Sequence, residues 1–301
     1  MSGAAFSGRD LLAALSVVVI WGLNFVAMKW ALADFTPFQL GFWRYVFAAL
    51  PLVLIVRRPA VPWRWIIAYG LCQGVGQFGV LFVALQVGMT AALASVLMQT
   101  QMFFTALLGV LLLGERLSRP LQWGLVCAAI GLGCFAMNYV GGAAAAGTTL
   151  LSFVLNLLAA AMWASSNIVA RRMQQVAGSY DALGFVVWSA IVPIVPFALL
   201  SLAFDPPVQR WQWLDAPLAG WLSVAYLGWC ATVTAYALWT GLLKRHPASR
   251  VAPFSLGVPV IGLAAGIVLL GEQVTRWQWA GGACIVAALM VVLLGSRKRA
   301  S

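Results

Sequence analysis

The chain has 301 residues, of which 63% are hydrophobic and only 8% are charged, whereas a soluble domain carries about 25% charged residues. This composition excludes a water-soluble fold, and the 15 tryptophans and 16 phenylalanines exclude a disordered chain. The net charge is +11, yet no basic stripe accompanies stacked aromatic residues in a polar segment, so we expect no nucleic-acid partner. The sequence predicts an integral membrane protein in contact with lipid.

Ten apolar runs follow one another along the chain, and each is long enough to cross a bilayer as an α-helix. The connections between them have at most 14 residues, which leaves no room for a separate soluble domain. Continuous runs also differ from the short alternating segments of a membrane β-barrel. We therefore predict an all-α polytopic membrane protein with ten transmembrane helices, at 11–31, 37–56, 65–86, 91–113, 121–140, 150–170, 182–203, 218–243, 251–270 and 277–295.

The basic residues are distributed unevenly over the two sides that these spans define. Fourteen of the 18 lysines and arginines lie on the two tails and on every second loop, while the other loops carry only Arg210 and Arg276. Lys29 and Arg44 lie within spans. Because basic segments stay in the cytoplasm, the sequence predicts that both termini are cytoplasmic and that the protein lies in the inner membrane.

Parts of the first half of the sequence recur in the second half. The segment 114–119 (GERLSR) reappears as 271–276 (GEQVTR), and the segment 24–29 (NFVAMK) reappears as 167–172 (NIVARR). Each match lies at the equivalent span when the chain is divided into two sets of five. The sequence therefore predicts a five-helix unit that is used twice.

The two predicted repeats are inverted, because a unit of five spans returns the chain to the opposite side of the membrane. Two copies of one unit in opposite orientations are a known basis of alternating access in transporters. The predicted boundaries are 1–140 for the first repeat, 141–149 for a linker and 150–301 for the second repeat.

These features resemble the EamA-type members of the drug/metabolite transporter superfamily. The resemblance rests on the five-plus-five arrangement, the repeated Gly-Glu pair, the entry segment 21–24 (WGLN) and Pro259 in the ninth span. The first repeat departs from the pattern, because Met102 occupies the position that corresponds to Pro259. The resemblance implies a membrane transporter. Amino-acid export is its leading implication, with other metabolites, drugs or lipid-linked sugars as alternatives.

Polar and aromatic side chains recur on single helical faces inside several spans, as expected of a solute cavity within a bundle. The alternatives are that the amides bond neighbouring helices and that the rings pack against lipid. As a set they favour a cavity, because five amides in spans one, three and four exceed what interhelical bonding usually requires. The stripe in span eight also includes Trp229. The candidate substrate-binding residues are Trp21, Asn24, Gln73, Gln77, Gln99, Gln101, Trp163, Asn167, Tyr236 and Trp239.

Arg44 lies about 10 Å from the outer end of the second span at 1.5 Å per residue, where burying a cation costs about 2.5–3.5 kcal/mol. It therefore requires a partner. A substrate carboxylate is one candidate, and the alternatives are snorkelling outward toward Asp34 or a bond to a backbone carbonyl. All seven acidic residues lie in loops or at helix ends, so we expect no carboxylate-based ion coupling.

Each Gly-Glu motif places a carboxylate four residues before an arginine, across a tight turn. We predict that Glu115 with Arg119, and Glu272 with Arg276, are structural turn locks, and a direct gating role is the alternative. The spacing in 275–278 (TRWQ) also predicts a capping box at the start of the last span.

Prolines in the seventh and ninth spans free backbone carbonyls and permit bends. Spans that rock during transport need such bends. The hinge candidates are Pro193, Pro196, Pro253 and Pro259.

Two other classes of protein explain the sequence less well. A membrane enzyme needs a nucleophile, a base or a metal site, and one loop histidine without an intramembrane carboxylate offers none of these. A receptor or scaffold leaves the inverted repeat unused. We therefore predict a non-enzymatic exporter of small molecules, above all amino acids with aromatic or hydrophobic side chains. We expect no metal and no cofactor, and the sequence leaves the oligomeric state open, a monomer included.

Overall fold

A computed structural model describes residues 7–115, 117–139, 148–177 and 181–297. Over these residues the secondary structure is helical, and no strand occurs among them. Nine helices in this part of the chain are long and apolar enough to cross a membrane. One more helix, the second in chain order, is shorter at 17 residues. The helices are α1 (Gly8–Ala31), α2 (Pro37–Val53), α3 (Trp63–Gln86), α4 (Ala91–Leu113), α5 (Arg119–Met137), α6 (Leu150–Ala177), α7 (Ala182–Phe204), α8 (Leu218–Arg245), α9 (Ala252–Leu270) and α10 (Arg276–Arg297).

The helices begin and end within three residues of the predicted spans, with one larger difference. α6 continues seven residues beyond its predicted end, through a polar turn to Ala177. α2 ends at Val53, three residues early, while its start is fixed by a capping box between Thr36 and Gln39. The count of ten spans, their inverted orientation and the cytoplasmic termini stay predictions. The predicted linker 141–149 lies outside the described residues except for its last two.

Several helices contain segments that depart from regular α-helical geometry. α3 is π-helical over Gly70–Gly79, and α8 is π-helical over Tyr226–Thr234. α4 has a short 3₁₀ segment at Met98–Thr100, and α9 begins with another at Ala252–Leu256. A π-helical turn bonds each N–H to the carbonyl five residues earlier, so it rotates the faces that follow it. The two π-helical segments begin 156 residues apart, close to the separation of 157 between the two Gly-Glu motifs.

The helices pack as one bundle, in which α5 and α10 lie mainly against each other. α1 packs against α8 and α9, while α4 packs against α6 and α9. α3 packs against α6, and α2 packs against α7 and α8. The polar faces of α1, α3, α4, α6 and α8 therefore meet inside the bundle, and α5 and α10 lie to one side.

α3 and α7 approach each other closely at Gly74. A Cβ atom at this position would overlap the ring of Pro193, and one at the neighbouring Gly70 would lie 2.6 Å from the carbonyl oxygen of Ser189. Small residues spaced four apart permit this contact between helices. The contact holds α3 in the position from which it reaches the centre of the bundle.

The substitution Gly74→Ala should destabilise the protein by about 1–3 kcal/mol, because the added methyl group forces α3 away from α7. The measurement is the midpoint of thermal unfolding in detergent, followed by tryptophan fluorescence. Gly133→Ala in α5 is the matched control, since a Cβ atom there meets nothing within 4 Å. Equal unfolding midpoints for the two variants would contradict the close packing at Gly74.

Candidate substrate cavity

A cavity of about 320 Å³ lies at the centre of the bundle, near the middle of the helices that enclose it. Sites for small molecules commonly have volumes of about 300–1,000 Å³. Side chains from α1, α3, α4, α6 and α8 converge on this cavity. The predicted candidates that line it are Trp21, Asn24, Gln77, Gln99, Gln101, Trp163, Asn167, Tyr236 and Trp239.

One wall of the cavity is aromatic. The ring of Trp21 lies edge-on to the ring of Tyr236, with 5.3 Å between their centroids, and its centroid lies 5.5 Å from that of Trp239. The indole Nε1 of Trp21 donates a hydrogen bond of 3.0 Å to the backbone carbonyl of Ala231, which fixes the orientation of the ring. This wall presents apolar faces and ring edges to whatever occupies the cavity.

Amide side chains join helices at a second wall of the cavity. Asn167 Nδ2 in α6 donates to Gln101 Oε1 at 2.8 Å and to Thr105 Oγ1 at 3.1 Å in α4. Gln99 Nε2 donates to the backbone carbonyl of Ser255 in α9 at 3.3 Å. These bonds set the positions of the amides and leave part of their hydrogen-bonding capacity open toward the cavity.

Two amide oxygens in the cavity accept no hydrogen bond from the described part of the chain. These are Asn24 Oδ1 and Gln77 Oε1, and both atoms are buried. The amide nitrogen of Asn24 makes one weak contact, to Met28 Sδ at 3.9 Å. Buried acceptors in native proteins are usually bonded. The two oxygens are therefore acceptors that the described residues leave without a donor.

Gln73 lies apart from the other candidates, beside an adjoining cavity of about 30 Å³. Its Oε1 accepts a hydrogen bond of 2.6 Å from Ser166 Oγ, and its Nε2 donates to the Tyr236 hydroxyl at 3.2 Å. Gln73 and Gln77 both belong to the π-helical part of α3, about one turn apart, and only Gln77 reaches the central cavity. Gln73 consequently supports Tyr236 and does not line the central cavity.

Arg44 lines both the central and the adjoining cavity. Its side chain is buried, its Nη2 donates to Thr232 Oγ1 at 3.2 Å, and its guanidinium carbon lies 3.8 Å from the ring centroid of Phe78. It does not snorkel toward Asp34, and none of the ion pairs among the described residues includes it. Arg44 is therefore a buried cation that no described carboxylate neutralises.

A second, more open cavity of about 430 Å³ adjoins the central one on the side toward the Arg171 end of the bundle. Gln101, Met102 and Asn167 line both cavities, and Gln174 lines the open one. The two cavities therefore share a wall that contains polar side chains, on the side of the central cavity toward the end of the bundle where α4 and α6 end.

The two Gly-Glu turns have the same backbone structure. Gly114 and Gly271 end α4 and α9 with φ angles of 67° and 65°, a left-handed conformation that glycine adopts without strain. In each turn the following glutamate N–H donates to the carbonyl of a glycine six residues earlier, Gly109 or Gly266, at 3.2 Å. The predicted tight turns are therefore present at both positions.

The two glutamate side chains have different partners. Glu115 forms an ion pair of 3.0 Å with Arg171 in α6, and both side chains are about half exposed. Glu272 accepts hydrogen bonds from the backbone N–H groups of Ala91 at 2.7 Å and Ala92 at 2.8 Å, at the first turn of α4. A carboxylate is favoured there by the positive end of the helix dipole. Glu272 thus ties the end of α9 to the start of α4.

The predicted pairing within each turn needs correction, because neither glutamate bonds the arginine four residues later. Arg119 is exposed at the start of α5, and the guanidinium of Arg276 lies 5.9 Å from the ring centroid of Trp277. The left-handed glycine turns each glutamate back over its own helix. There the absence of a side chain at Gly109 or Gly266 leaves room for the carboxylate.

The four hinge candidates lie in two kinds of environment. Pro193 belongs to the turn that interrupts α7, and Pro253 belongs to the 3₁₀ segment that begins α9. Pro196 and Pro259 lie inside the helical segments that follow. Movement at these positions stays a prediction.

The cavity also has an apolar lining that sequence reasoning missed, and one predicted aromatic residue lies elsewhere. Spans that are apolar on every face give no contrast between a cavity-facing residue and a buried or lipid-facing one. Trp229 lies on the outside of α8, 48% exposed, because the π-helical segment of α8 rotates its faces. The apolar residues missed are Phe25, Phe78, Leu81 and Val258.

Apolar helices around a central cavity lined by amides and aromatic rings define a polytopic membrane transporter. The model of the EamA-like transporter family matches residues 9–137 and again residues 150–294. The chain belongs to the EamA-like transporter family, and it is a multi-pass protein of the inner membrane.

Similarity to individual proteins extends over nearly the whole chain. A probable amino-acid metabolite efflux pump of Salmonella typhimurium is 40% identical over 97% of this chain and 97% of its own length. A protein of Escherichia coli with the same description is 38% identical with the same coverage. A solved chain, described simply as the crystal structure of a protein, has a TM-score of 0.62 at 19% identity and covers 97% of this chain and 99% of its own. This last likeness concerns the fold alone.

Proposed function

We propose that the protein exports amino acids from the cytoplasm, with a preference for hydrophobic and aromatic side chains. The observation that carries this proposal is the central cavity, which combines an aromatic wall with amide groups in a volume of about 320 Å³. An aromatic wall suits an apolar side chain, and the amides suit a polar head group. The names of the relatives from Salmonella typhimurium and Escherichia coli support the same substrate class.

Alternating access is the proposed mechanism. The recurrence of the Gly-Glu turns and of the π-helical segments at nearly the same offset supports two equivalent units. At one end of the bundle Glu272 ties α9 to α4, and at the other end Glu115 pairs with α6 beside the open cavity. This is the asymmetry expected of a carrier that is closed on the Glu272 side and open on the Glu115 side.

The residues that line the cavity bear on whether transport is coupled to ions. The residues that line it include no aspartate or glutamate among those the structure describes. A buried carboxylate is the usual relay for protons or sodium ions in transporters. We therefore propose that the protein works without carboxylate-based ion coupling, so that the solute moves down its own concentration gradient or is coupled by another means.

The proposed substrate class is tested with purified protein in liposomes that are loaded with labelled amino acids, sugars or nucleotides. We expect efflux of phenylalanine and leucine, and none of sugars or nucleotides above protein-free liposomes. Efflux confined to sugars or nucleotides would overturn the proposed substrate class.

The cavity assignment has a separate test in the same liposomes. Trp163→Ala and Gln101→Ala should each reduce phenylalanine efflux on the order of tenfold or more, because they remove an aromatic face and the acceptor that orients Asn167. Trp229→Ala is the matched control, since this tryptophan lies on the outside of the bundle. If efflux stays unchanged in both cavity variants, the assignment of the site is wrong, although the transporter class stands.

A further inference from the structure

The guanidinium group of Arg44 is the least compensated charge in the centre of the bundle. It carries five N–H donors, and among the described residues only the Thr232 hydroxyl, 3.2 Å from Nη2, accepts a hydrogen bond from it. Its Nε and Nη1 are buried and donate to no acceptor among the residues that the structure describes. The ring of Phe78 covers one face of the group at 3.8 Å. The arginine is thus held in place while two of its nitrogen atoms remain without acceptors.

An arginine in this state lacks an anion. A guanidinium group stays charged at all physiological pH values, so it cannot relieve the cost of burial by losing its proton. A hydroxyl and an aromatic face reduce that cost but do not cancel a full charge. Ionisable side chains at this depth in membrane proteins usually face a pathway or pair with an opposite charge. Since no described carboxylate pairs with Arg44, the missing partner is expected to come from the solute.

The same cavity holds acceptors for the opposite end of a small zwitterion. Arg44, Asn24 and Gln77 all line it, and Asn24 Oδ1 and Gln77 Oε1 accept no bond within the described ranges. An α-amino acid carries a carboxylate that needs donors and an ammonium group that needs acceptors. Unused donors and unused acceptors in one cavity match both groups of such a solute.

We propose that Arg44, held in place by Thr232, forms the subsite for the α-carboxylate of the substrate, and that the side-chain oxygens of Asn24 and Gln77 form the subsite for its α-ammonium group. This inference rests on the proposed function and specifies which atoms of an amino acid the cavity recognises. The aromatic wall formed by Trp21 and Trp239 then receives the side chain. The cavity therefore selects solutes that are zwitterionic at one end and apolar at the other.

The experiment compares three solutes that differ in one group each. Liposomes with wild-type protein are assayed for half-saturation by phenylalanine, by phenylalaninamide, which lacks the carboxylate, and by 3-phenylpropionate, which lacks the ammonium group. We expect phenylalanine to be preferred over each analogue by about 10- to 100-fold, the effect of losing a hydrogen-bonded charged group. Equal half-saturation by phenylalanine and phenylalaninamide would overturn the carboxylate subsite without any variant.

Variants then assign each preference to its residues. Arg44→Gln should remove the preference for phenylalanine over phenylalaninamide, while the preference for phenylalanine over 3-phenylpropionate persists. Arg44→Lys should keep part of the preference over phenylalaninamide, because lysine is also a cation. Gln77→Leu should remove the preference over 3-phenylpropionate, while the preference over phenylalaninamide persists. A merely structural arginine would weaken the transport of all three solutes by the same factor, and that result would overturn the proposal. Arg64→Gln, at an exposed arginine of α3, is the control with the same loss of charge and should change neither preference.

The outcomes separate this inference from the proposed function. If the wild-type protein transports no amino acid at all, the proposed function fails. If it transports phenylalanine and Arg44→Gln keeps the wild-type preference over phenylalaninamide, the proposed function stands and the carboxylate subsite is wrong. If Arg44→Gln does not fold, the comparison of solutes on wild-type protein and on Arg44→Lys still decides the question.

Discussion

Replacing Glu272 with alanine should open the end of the bundle where α9 meets α4. The carboxylate accepts the two backbone bonds that join these helices, from Ala91 and Ala92, and a hydrogen bond to a charged group contributes about 1.5–3 kcal/mol. Because such contributions are not fully additive, we expect a total loss of about 2–4 kcal/mol. This corresponds to a shift on the order of 30- to 1,000-fold toward the state that is open on this side.

The measurement is hydrogen exchange at the start of α4. The amides of Ala91 and Ala92 donate directly to Glu272 in the closed state, so Glu272→Ala should raise their exchange rates by at least about tenfold. Transport should fall in parallel, because a carrier that rests in one state completes its cycle slowly. Unchanged protection of these amides would contradict the role of Glu272 as the tie between α9 and α4.

Glu115→Ala is the matched control, because Glu115 occupies the equivalent turn at the other end of the bundle. It pairs with Arg171 and caps no helix among the described residues, so its loss should leave the amides of α4 protected. Exposed ion pairs contribute only about 0–1 kcal/mol. A control variant that exchanged as fast as Glu272→Ala would indicate general loosening of the bundle.

In the proposed transport cycle, we expect each of the two glutamates to change its partner when the carrier changes from one state to the other. In the present state Glu272 caps α4, and Lys29 Nζ of α1 donates to the backbone carbonyl of Leu85 at 2.8 Å. Lys29 belongs to the segment 24–29, which matches 167–172 in the second repeat. That second segment contains Arg171, the partner of Glu115. In the opposite state we expect Glu272 to pair with Lys29, and Glu115 to cap the short helix Ala248–Val251, which precedes α9.

The positions of the helices follow from the sequence because hydropathy and local capping act over short distances. The capping box predicted for 275–278 is present, with Thr275 N–H donating to Gln278 Oε1 at 2.9 Å and Gln278 N–H donating to Thr275 Oγ1 at 3.2 Å. Ser118, at the equivalent place in the first repeat, makes no such bond. The residue three positions after Ser118 is Leu121, whose apolar side chain cannot accept a hydrogen bond from the Ser118 N–H as Gln278 does from the Thr275 N–H.

The polar lining of the cavity was accessible to sequence analysis because amides contrast with an apolar span. Asn24 and Asn167, matched by the repeat, both line the cavity, as the spacing of polar residues on α1 and α6 predicts. Gln73 and Trp229 depart from this pattern. Gln73 lies about one turn from Gln77 and lines the adjoining cavity, whereas Trp229 lies in the π-helical segment of α8, and whether a span adopts such turns depends on its packing against other helices.

Contacts between residues far apart in the sequence could not be predicted, because they also depend on how the helices pack. Glu115 and Glu272 carry the same motif, yet one bonds a side chain of α6 and the other bonds the backbone of α4. No local pattern distinguishes these outcomes, because they are decided by which end of the bundle is closed. The stacking of Arg44 on Phe78 likewise joins α2 to α3 and needs the tertiary structure.

The second large effect is expected from Trp239, whose loss should weaken transport of aromatic amino acids far more than transport of alanine. Trp239 and Trp21 form adjacent parts of the aromatic wall, with 5.5 Å between their ring centroids. Removing one ring costs a bound apolar side chain about 1.5–3 kcal/mol of contact, which is on the order of a 10- to 100-fold increase in half-saturation for phenylalanine. Alanine has no side chain long enough to use this contact.

The ratio of half-saturation by phenylalanine to that by alanine is therefore the decisive measurement, made in liposomes with Trp239→Ala, Trp239→Phe and Trp229→Ala. Trp239→Phe keeps an aromatic face and should retain most of the wild-type preference. Trp229→Ala removes an equally large ring from the outer face of the same helix, where it packs on Phe47 at 5.1 Å, and should leave the ratio unchanged. If Trp239→Ala raised both half-saturation values by the same factor, the ring would act by supporting the fold of α8, and the aromatic wall would have no part in choosing the solute.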